Sequence, residues 1–253
     1  MAQNNIALVT GGSRGLGRDM ALALARKGLD VILTYRTQAG EAQEVVGLIE
    51  QLGCKAVALP LDVSNSSTFA AFFASVAATL RDTWQTSTFQ FLVNNAGIGI
   101  HAAFAETTEE QFDNLVRIQL KGPFFLTQHA LPLMADGGGI VNISTGLARF
   151  AYPGYSAYAS MKGGIEVLTR YQAVELGSRK IRVNTVAPGA IATDFGGGVV
   201  RDNAQVNARI ASVTALGRVG LPEDIGSVVA FLCTDDARWI NAQRIEVSGG
   251  QQL

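Results

Sequence analysis

Ile6-Ala7-Leu8-Val9-Thr10 is a short apolar run that stops at Gly11-Gly12-Ser13-Arg14-Gly15-Leu16-Gly17. An Ala/Leu-rich pattern with helical spacing follows to about Lys27, and Gly28 ends it. A strand delivered into a helix through a turn that carries four glycines leaves few folds open. The glycines let the backbone approach a pyrophosphate, while the free N–H groups and positive dipole end of the helix favour an anion there. The turn therefore predicts a dinucleotide site at the first strand–helix junction.

The rest of the chain keeps the rhythm. Asp30 to Thr34 reads as a second strand, Glu41 to Leu52 as a helix stopped by Gly53, and Lys55 to Leu59 as a third strand. Phe69 to Leu80 is helical, and Phe89 to Val93 is a fourth strand that runs into Asn94-Asn95-Ala96-Gly97. Glu109 to about Met134 reads as one long helix bent at Gly122-Pro123, because Pro123 supplies no N–H to the ladder. Strands at Ile140–Ile143, Ile181–Ala187 and Arg244–Val247, with helices at Tyr155–Gly177 and Ile225–Leu232, complete the series. Alternation of this kind predicts an α/β chain. The expected fold is a single Rossmann-like doubly wound domain over residues 1–253, its parallel seven-stranded sheet covered by helices on both faces. Ligands of such sheets bind beyond the carboxyl ends of the strands, where Gly11, Asp62 and Asn94 to Gly97 fall. Ala190 to Ala211 carries Gly196-Gly197-Gly198 among polar and aliphatic residues, and predicts a mobile substrate loop at about 190–213.

Composition narrows the partners. Net charge is −1 and no run of like charges stands out, which argues against nucleic acid or an anionic membrane surface. No apolar run approaches membrane-spanning length, and the first residues lack the pattern of a secretory leader, so a cytoplasmic location is expected. Cys54 and Cys233 lie far apart among small or apolar neighbours and read as buried thiols; with only His101 and His129 beside them, no metal site is expected.

The cofactor can be narrowed further. In a dinucleotide fold an acidic residue after the second strand hydrogen-bonds the adenosine ribose 2′-hydroxyl. None lies between Val31 and Arg36; Tyr35-Arg36 ends the strand and Arg14 lies in the glycine turn nearby. A guanidinium fork suits a 2′-phosphate, so NADP(H) is expected over NAD(H). Asp62-Val63, after the third strand, places a carboxylate where the adenine amino group is expected.

Tyr158-Ala159-Ser160-Met161-Lys162 opens an apolar helical run, and four-residue spacing puts Tyr158 and Lys162 on one face. A free phenol with a pKa near 10 is a poor acid or base at neutral pH, and a nearby ammonium brings it toward the working range. Thr145 lies 13 positions before Tyr158, room for a loop that returns a hydroxyl to the phenol.

Over essentially its whole length the chain resembles the single-domain branch of the short-chain dehydrogenase/reductase family. The resemblance rests on Thr10-Gly11-Gly12-Ser13-Arg14-Gly15-Leu16-Gly17, Asn94-Asn95-Ala96-Gly97, Tyr158 with Lys162, and Pro188-Gly189 with Thr193, in that order. It implies hydride transfer between a nicotinamide and a ketone or secondary alcohol. Tyr158 would give or take the hydroxyl proton, and Lys162 would lower the phenol pKa and hold the nicotinamide ribose. Pro188, Gly189, Ile191 and Thr193 would line the nicotinamide and its phosphate side, and Asn94, Ala96 and Gly97 would meet the cofactor at the centre of the sheet. Two positions depart from the family pattern. Its usual serine is Thr145 here, with Ser144 just upstream, and its helix asparagine is Gln119. Threonine keeps the hydroxyl. Gln119 keeps the backbone carbonyl through which the family residue is thought to hold a water on the lysine.

Ile98, Leu147, Phe150, Tyr152 and Phe195 should surround the reacting carbon with few charges, which favours a small apolar or aromatic carbonyl or alcohol. His101 reads as a solvent-facing loop residue. The apolar residues of Tyr155–Gly177 fall on more than one helix face, which predicts a homo-oligomer, a tetramer built from dimers. Two other readings stand beside the reductase. One is an acyl-carrier-linked 3-ketoacyl reductase, which needs a basic patch from residues such as Arg149, Arg201 and Arg218. The other is a catalytically idle dinucleotide-binding protein.

Overall fold

The computed structural model describes residues 5–253. Among these, seven strands form one sheet: β1 (Ile6–Val9), β2 (Asp30–Tyr35), β3 (Ala56–Pro60), β4 (Phe89–Asn94), β5 (Met134–Ile143), β6 (Arg182–Pro188) and β7 (Arg244–Val247). Their order is β3-β2-β1-β4-β5-β6-β7 and every neighbouring pair is parallel. The helices are α1 (Gly15–Arg26), α2 (Ala39–Gln51), α3 (Phe69–Trp84), α4 (Glu109–Leu115), α5 (Gly122–Ala130), α6 (Ser156–Glu175), α7 (Val199–Asp202), α8 (Ala204–Ser212) and α9 (Pro222–Leu232). This is the doubly wound α/β fold expected.

Both faces of the sheet are buried, which is why its strands read as continuous apolar runs. Side chains alternate along each strand. Ala7, Val9, Val31 and Leu33 pack with Met20 and Leu24 of α1, Val45 and Ile49 of α2, and Ile225 and Val229 of α9. Ile6, Leu8 and Ile32 face the other way, onto Phe69, Val76 and Leu80 of α3 and Leu126 of α5. The strand order reverses at β1, which pairs with β2 on one side and β4 on the other, and this opens a crevice beyond Val9 and Val93. Cys54 and Cys233 are both buried free thiols. No helix among the described residues is long and apolar enough to cross a membrane.

The long helix expected over Glu109–Met134 is several pieces. A capping box between Thr108 and Gln111 starts α4, a π turn occupies Val116–Lys121, and α5 follows with Pro123 near its start. Pro123 has no N–H for the carbonyl of Gln119 four residues earlier, and the wider turn absorbs that loss. The helix then tightens at Leu131–Leu133, and Met134 already pairs with Phe89, so β5 begins six residues before the expected Ile140. A register shift between Phe89 and Phe91 accommodates the added length, with Gly137 at φ +80° in the irregular part.

Candidate active site

A cleft of about 480 Å³ runs along the carboxyl ends of β1, β4, β5 and β6. Its first wall is the glycine turn. Gly11 has φ +66°, and a Cβ on Gly17 would lie 2.0 Å from the Gly11 carbonyl oxygen, so the α1 N-terminus closes onto the turn only without a side chain. Arg14 caps α1 without any side-chain hydrogen bond and the first turn carries no acid, which leaves the helix N-terminus receptive to an anion. Thr10 ties this turn to the next loop. Its hydroxyl donates to Val93 O (3.2 Å) and accepts from the N–H groups of Asn95 (2.9 Å) and Ala96 (3.0 Å). The Asn95 amide donates to Thr10 O at 2.8 Å.

Asn94 corrects the sequence reading. Its buried side chain turns into the sheet, donating to Asn142 Oδ1 (2.8 Å) and Thr127 Oγ1 (3.0 Å), and it does not line the cleft. Asn95 lines it instead, because successive side chains leaving a strand point to opposite sides.

The far corner of this half is lined by Arg14, Tyr35, Arg36, Thr37 and Gln38, with no acid after β2. Asp62 and Val63 line the cleft as well. Burial opposes ionisation of Asp62, but hydrogen bonds from the hydroxyl and N–H of Ser64 and the nearby Arg36 outweigh it and hold its carboxyl below the usual range.

The second half holds Tyr158, Lys162, Thr145 and Gln119, which reach it from three different elements. Tyr158 and Lys162 are 6% and 5% exposed, so solvation decides their charge. Burial pushes the Tyr158 phenol well above its usual value, and a hydrogen bond with Thr145 pulls the other way. Burial takes Lys162 down to about 7. In this site burial is the largest influence on the phenol. The Lys162 nitrogen lies 5.8 Å from the Tyr158 ring centre and donates to Ile143 O at 2.8 Å. Desolvation dominates at both groups and disfavours the charged form of each.

Thr145 follows β5 in extended conformation, and its hydroxyl also accepts from Leu147 N at 3.3 Å. Ser144 is turned toward α6, where its hydroxyl donates to Glu166 Oε1 at 2.7 Å, so the register puts Thr145 and not Ser144 at the phenol. The Gln119 amide nitrogen donates to Ile98 O, and its buried Oε1 has no hydrogen-bond partner.

Ile98, Leu147, Phe150, Tyr152 and Phe195 all line the cleft around Tyr158, as do Pro188, Gly189, Ile191 and Thr193. Tyr158 stands in a row of rings: Phe195 is 6.0 Å away, Tyr155 is 6.5 Å on another side, and Tyr152 lies 6.4 Å beyond Tyr155. His101 is exposed and packs its edge on Tyr155 at 5.0 Å, outside the cleft. The sequence reading did not single out Tyr155, Val206, Ile210 or Gln251, which also line the cleft, although Val206 and Ile210 fall within its substrate loop at about 190–213. Tyr155 sits one helical turn before Tyr158 and was legible as a neighbour. The others arrive through tertiary folding of α8 and the C-terminal segment.

A family profile described as Enoyl-(Acyl carrier protein) reductase matches residues 11–252. The chain is 35% identical to a hydroxynaphthalene reductase-like protein of Metarhizium brunneum, over 97% of this chain and 94% of that one. It is also 35% identical to a short-chain type dehydrogenase/reductase of Picea abies, over 97% and 92%. Among solved structures, a promiscuous reductase that catalyses keto-reduction at C1 during lugdunomycin biosynthesis superposes with a TM-score of 0.94 at 37% identity, covering 99% of each chain. An angucycline C-6 ketoreductase with bound NADP gives 0.92 at 38% identity, covering 98% of this chain and 95% of the other.

Proposed function

The chain belongs to the short-chain dehydrogenase/reductase family, and on that premise we propose that it is an NADP(H)-dependent ketoreductase acting on an apolar or aromatic ketone, or on the matching secondary alcohol. The observation that carries this reading is a buried Tyr158 between Thr145 and a wall of aromatic rings at the end of a dinucleotide cleft.

The cleft fits the cofactor. The open N-terminus of α1 suits a pyrophosphate, and Arg14 with Arg36, in a corner free of acids, suits a 2′-phosphate. Asp62 has a carboxylate to offer the adenine amino group. Ala96, Gly97, Pro188, Gly189, Ile191 and Thr193 flank the nicotinamide end. When bound, NADPH supplies the hydride for the carbonyl carbon.

The chain's own residues supply the proton and the orientation. Thr145 donates its hydroxyl hydrogen to the substrate oxygen, and Tyr158, neutral at physiological pH, delivers its proton to that oxygen as negative charge grows there. Lys162 stabilises the phenolate left behind and holds the nicotinamide ribose. The unpartnered Gln119 Oε1 offers an acceptor to a water on the proton path. Residues 190–213 act as a substrate lid, with Phe195 on one side of the ketone and Tyr152 and Tyr155 on the other.

Arg149, Arg201 and Arg218, the candidates for an acyl-carrier patch, are paired with Glu246, with Asp194 and Asp202, and with Asp224. That pairing argues against a carrier-linked substrate. We also place the chain in a homotetramer, since α4, α5 and α6 expose Phe112, Phe124, Phe125, Tyr171 and Val174.

The test follows nicotinamide absorbance for NADPH and NADH against a panel of aryl, polycyclic and cyclic ketones. NADPH-preferred turnover is expected, and Tyr158→Phe should lower kcat by about 10²–10⁴-fold while leaving NADPH affinity within twofold. Tight NADPH binding with no turnover of any ketone would replace this reading with that of an idle binder.

A further inference from the structure

Tyr158, Lys162 and Glu166 follow each other at four-residue intervals on α6, so one helix face carries the phenol, the ammonium and a carboxylate in a row. The carboxylate is the inner end of an ionic lattice. Glu166 Oε1 accepts from Arg244 Nε at 2.7 Å and from the Ser144 hydroxyl at 2.7 Å. The same Arg244 guanidinium donates to Thr145 O at 3.2 Å and to Glu246 Oε2 at 2.9 Å. Arg244 stands on β7, one strand beyond β6, yet its fork holds both the helix that carries Tyr158 and the loop that carries Thr145.

The lattice is anchored at its outer end. Glu246 also accepts from Arg149 at 2.6 and 2.8 Å, and Arg149 donates to the carbonyls of Gln251 (2.8 Å) and Gln252 (3.2 Å). Burial opposes ionisation of Glu246, but the hydrogen bonds from Arg149, Arg244 and Ser248 outweigh it and bring its carboxyl down to about 2. Gln251 Oε1 in turn accepts from Ala190 N at 2.9 Å, where the substrate segment leaves β6.

Thr145 needs such support. The sheet ladder ends beside it: Ile143 pairs with Val186, and Ser144 N donates to Val186 O at 2.8 Å. Beyond that point Thr145 O is held by Ala148 N within its own turn, at 3.2 Å, and by Arg244 from outside. A threonine has one more methyl group than a serine and fewer rotamers through which to recover from a backbone shift. The position of its hydroxyl therefore follows the position of its backbone.

We propose that Arg244 is a positioning residue that braces the Thr145 loop against α6 and so sets the distance between the Thr145 hydroxyl and the Tyr158 phenol. The inference rests on the ketoreductase reading of Thr145 given above. A planar fork can reach Glu166, Glu246 and the Thr145 carbonyl together, whereas a lysine ammonium in the same place serves fewer of them at once.

The test is a double-substitution cycle with Arg244→Lys and Thr145→Ala, using a ketone that the wild type turns over. Arg244→Lys keeps the charge and should fold with an unchanged far-ultraviolet spectrum. It should lower kcat about tenfold or more, with NADPH affinity and ketone KM within twofold, because displacing a reacting group by a fraction of an ångström acts on the chemical step. Thr145→Ala should lower kcat strongly alone, and Arg244→Lys should add little in the Thr145→Ala background, the non-additivity expected of a residue that acts through the other. If Thr145→Ala cripples turnover while Arg244→Lys does not, or if the two effects multiply, the brace is refuted and the ketoreductase reading stands. If Thr145→Ala alone leaves kcat unchanged, the assignment of Thr145 is what fails, and the brace falls with it.

Discussion

Tyr158 and Lys162 are separated by one helical turn, and the sequence shows that much; it does not show how dry their surroundings are. The buried Lys162 has its pKa down to about 7, against an unfolded value near 10.5. Below about pH 7 the ammonium is protonated in both states and the folded protein bears the full cost of burying it. As pH rises from about 7 toward 10.5 the unfolded chain still binds the proton and the native state does not, so the cost is progressively relieved. Lys162→Met removes the buried charge while keeping most of the volume. At pH 6–7 the variant should melt about 2–4 °C above the wild type, and the gain should shrink by pH 10, with turnover lost throughout. A melt that falls on substitution would show that Lys162 contributes to the fold instead, and a gain that does not change with pH would show that the buried charge is not its source. Thr145 and Ser144 make the same point differently. Adjacent residues cannot both face the phenol, and the ladder that ends at Ser144 decides which one does.

Helices and strands with uninterrupted periodicity were legible in the sequence, and the elements broken by Pro or Gly were not. The apolar pattern over Glu109–Met134 runs straight through a π turn and into β5, since hydrophobic spacing records burial and not the hydrogen-bond partner of each carbonyl. The segment after β6 was read as a loop about Gly196-Gly197-Gly198. All three glycines do have positive φ, but α7 and α8 follow them and bring Val206 and Ile210 to the cleft. Phe195, just before those glycines, seats its ring on Gly99, where a Cβ would lie 2.7 Å from Cε1. Gly99→Ala should displace the tip of that ring without unfolding the protein. Ketone KM should rise about three- to tenfold with NADPH affinity unchanged, as expected for one aromatic contact. Phe195→Ala should act likewise, and the double variant should be no worse than the poorer single one. Full multiplication of the two effects would show that Gly99 and Phe195 act separately.

On the scale of the whole molecule, α4, α5 and α6 leave Phe112, Phe124, Phe125, Tyr171 and Val174 exposed. Tyr171 and Val174 are 64% and 79% exposed on α6, the helix that carries Tyr158, so pairing there would also stiffen the site. Light scattering at micromolar concentration should report a multiple of the 26.7 kDa chain, and a monomer mass would refute the assembly. The periodicity and glycine turns of the sequence determined by themselves a doubly wound parallel sheet and the edge at which its cleft opens, because strand ends and helix starts are local properties of the chain. Only the tertiary structure decided that Asn95 and not Asn94 faces the cleft, that burial raises the Tyr158 phenol and lowers the Lys162 ammonium, and that Arg244 reaches Thr145 from another strand. These depend on which groups are taken out of water together and which partners meet across long separations in the chain, and neither is encoded in local spacing.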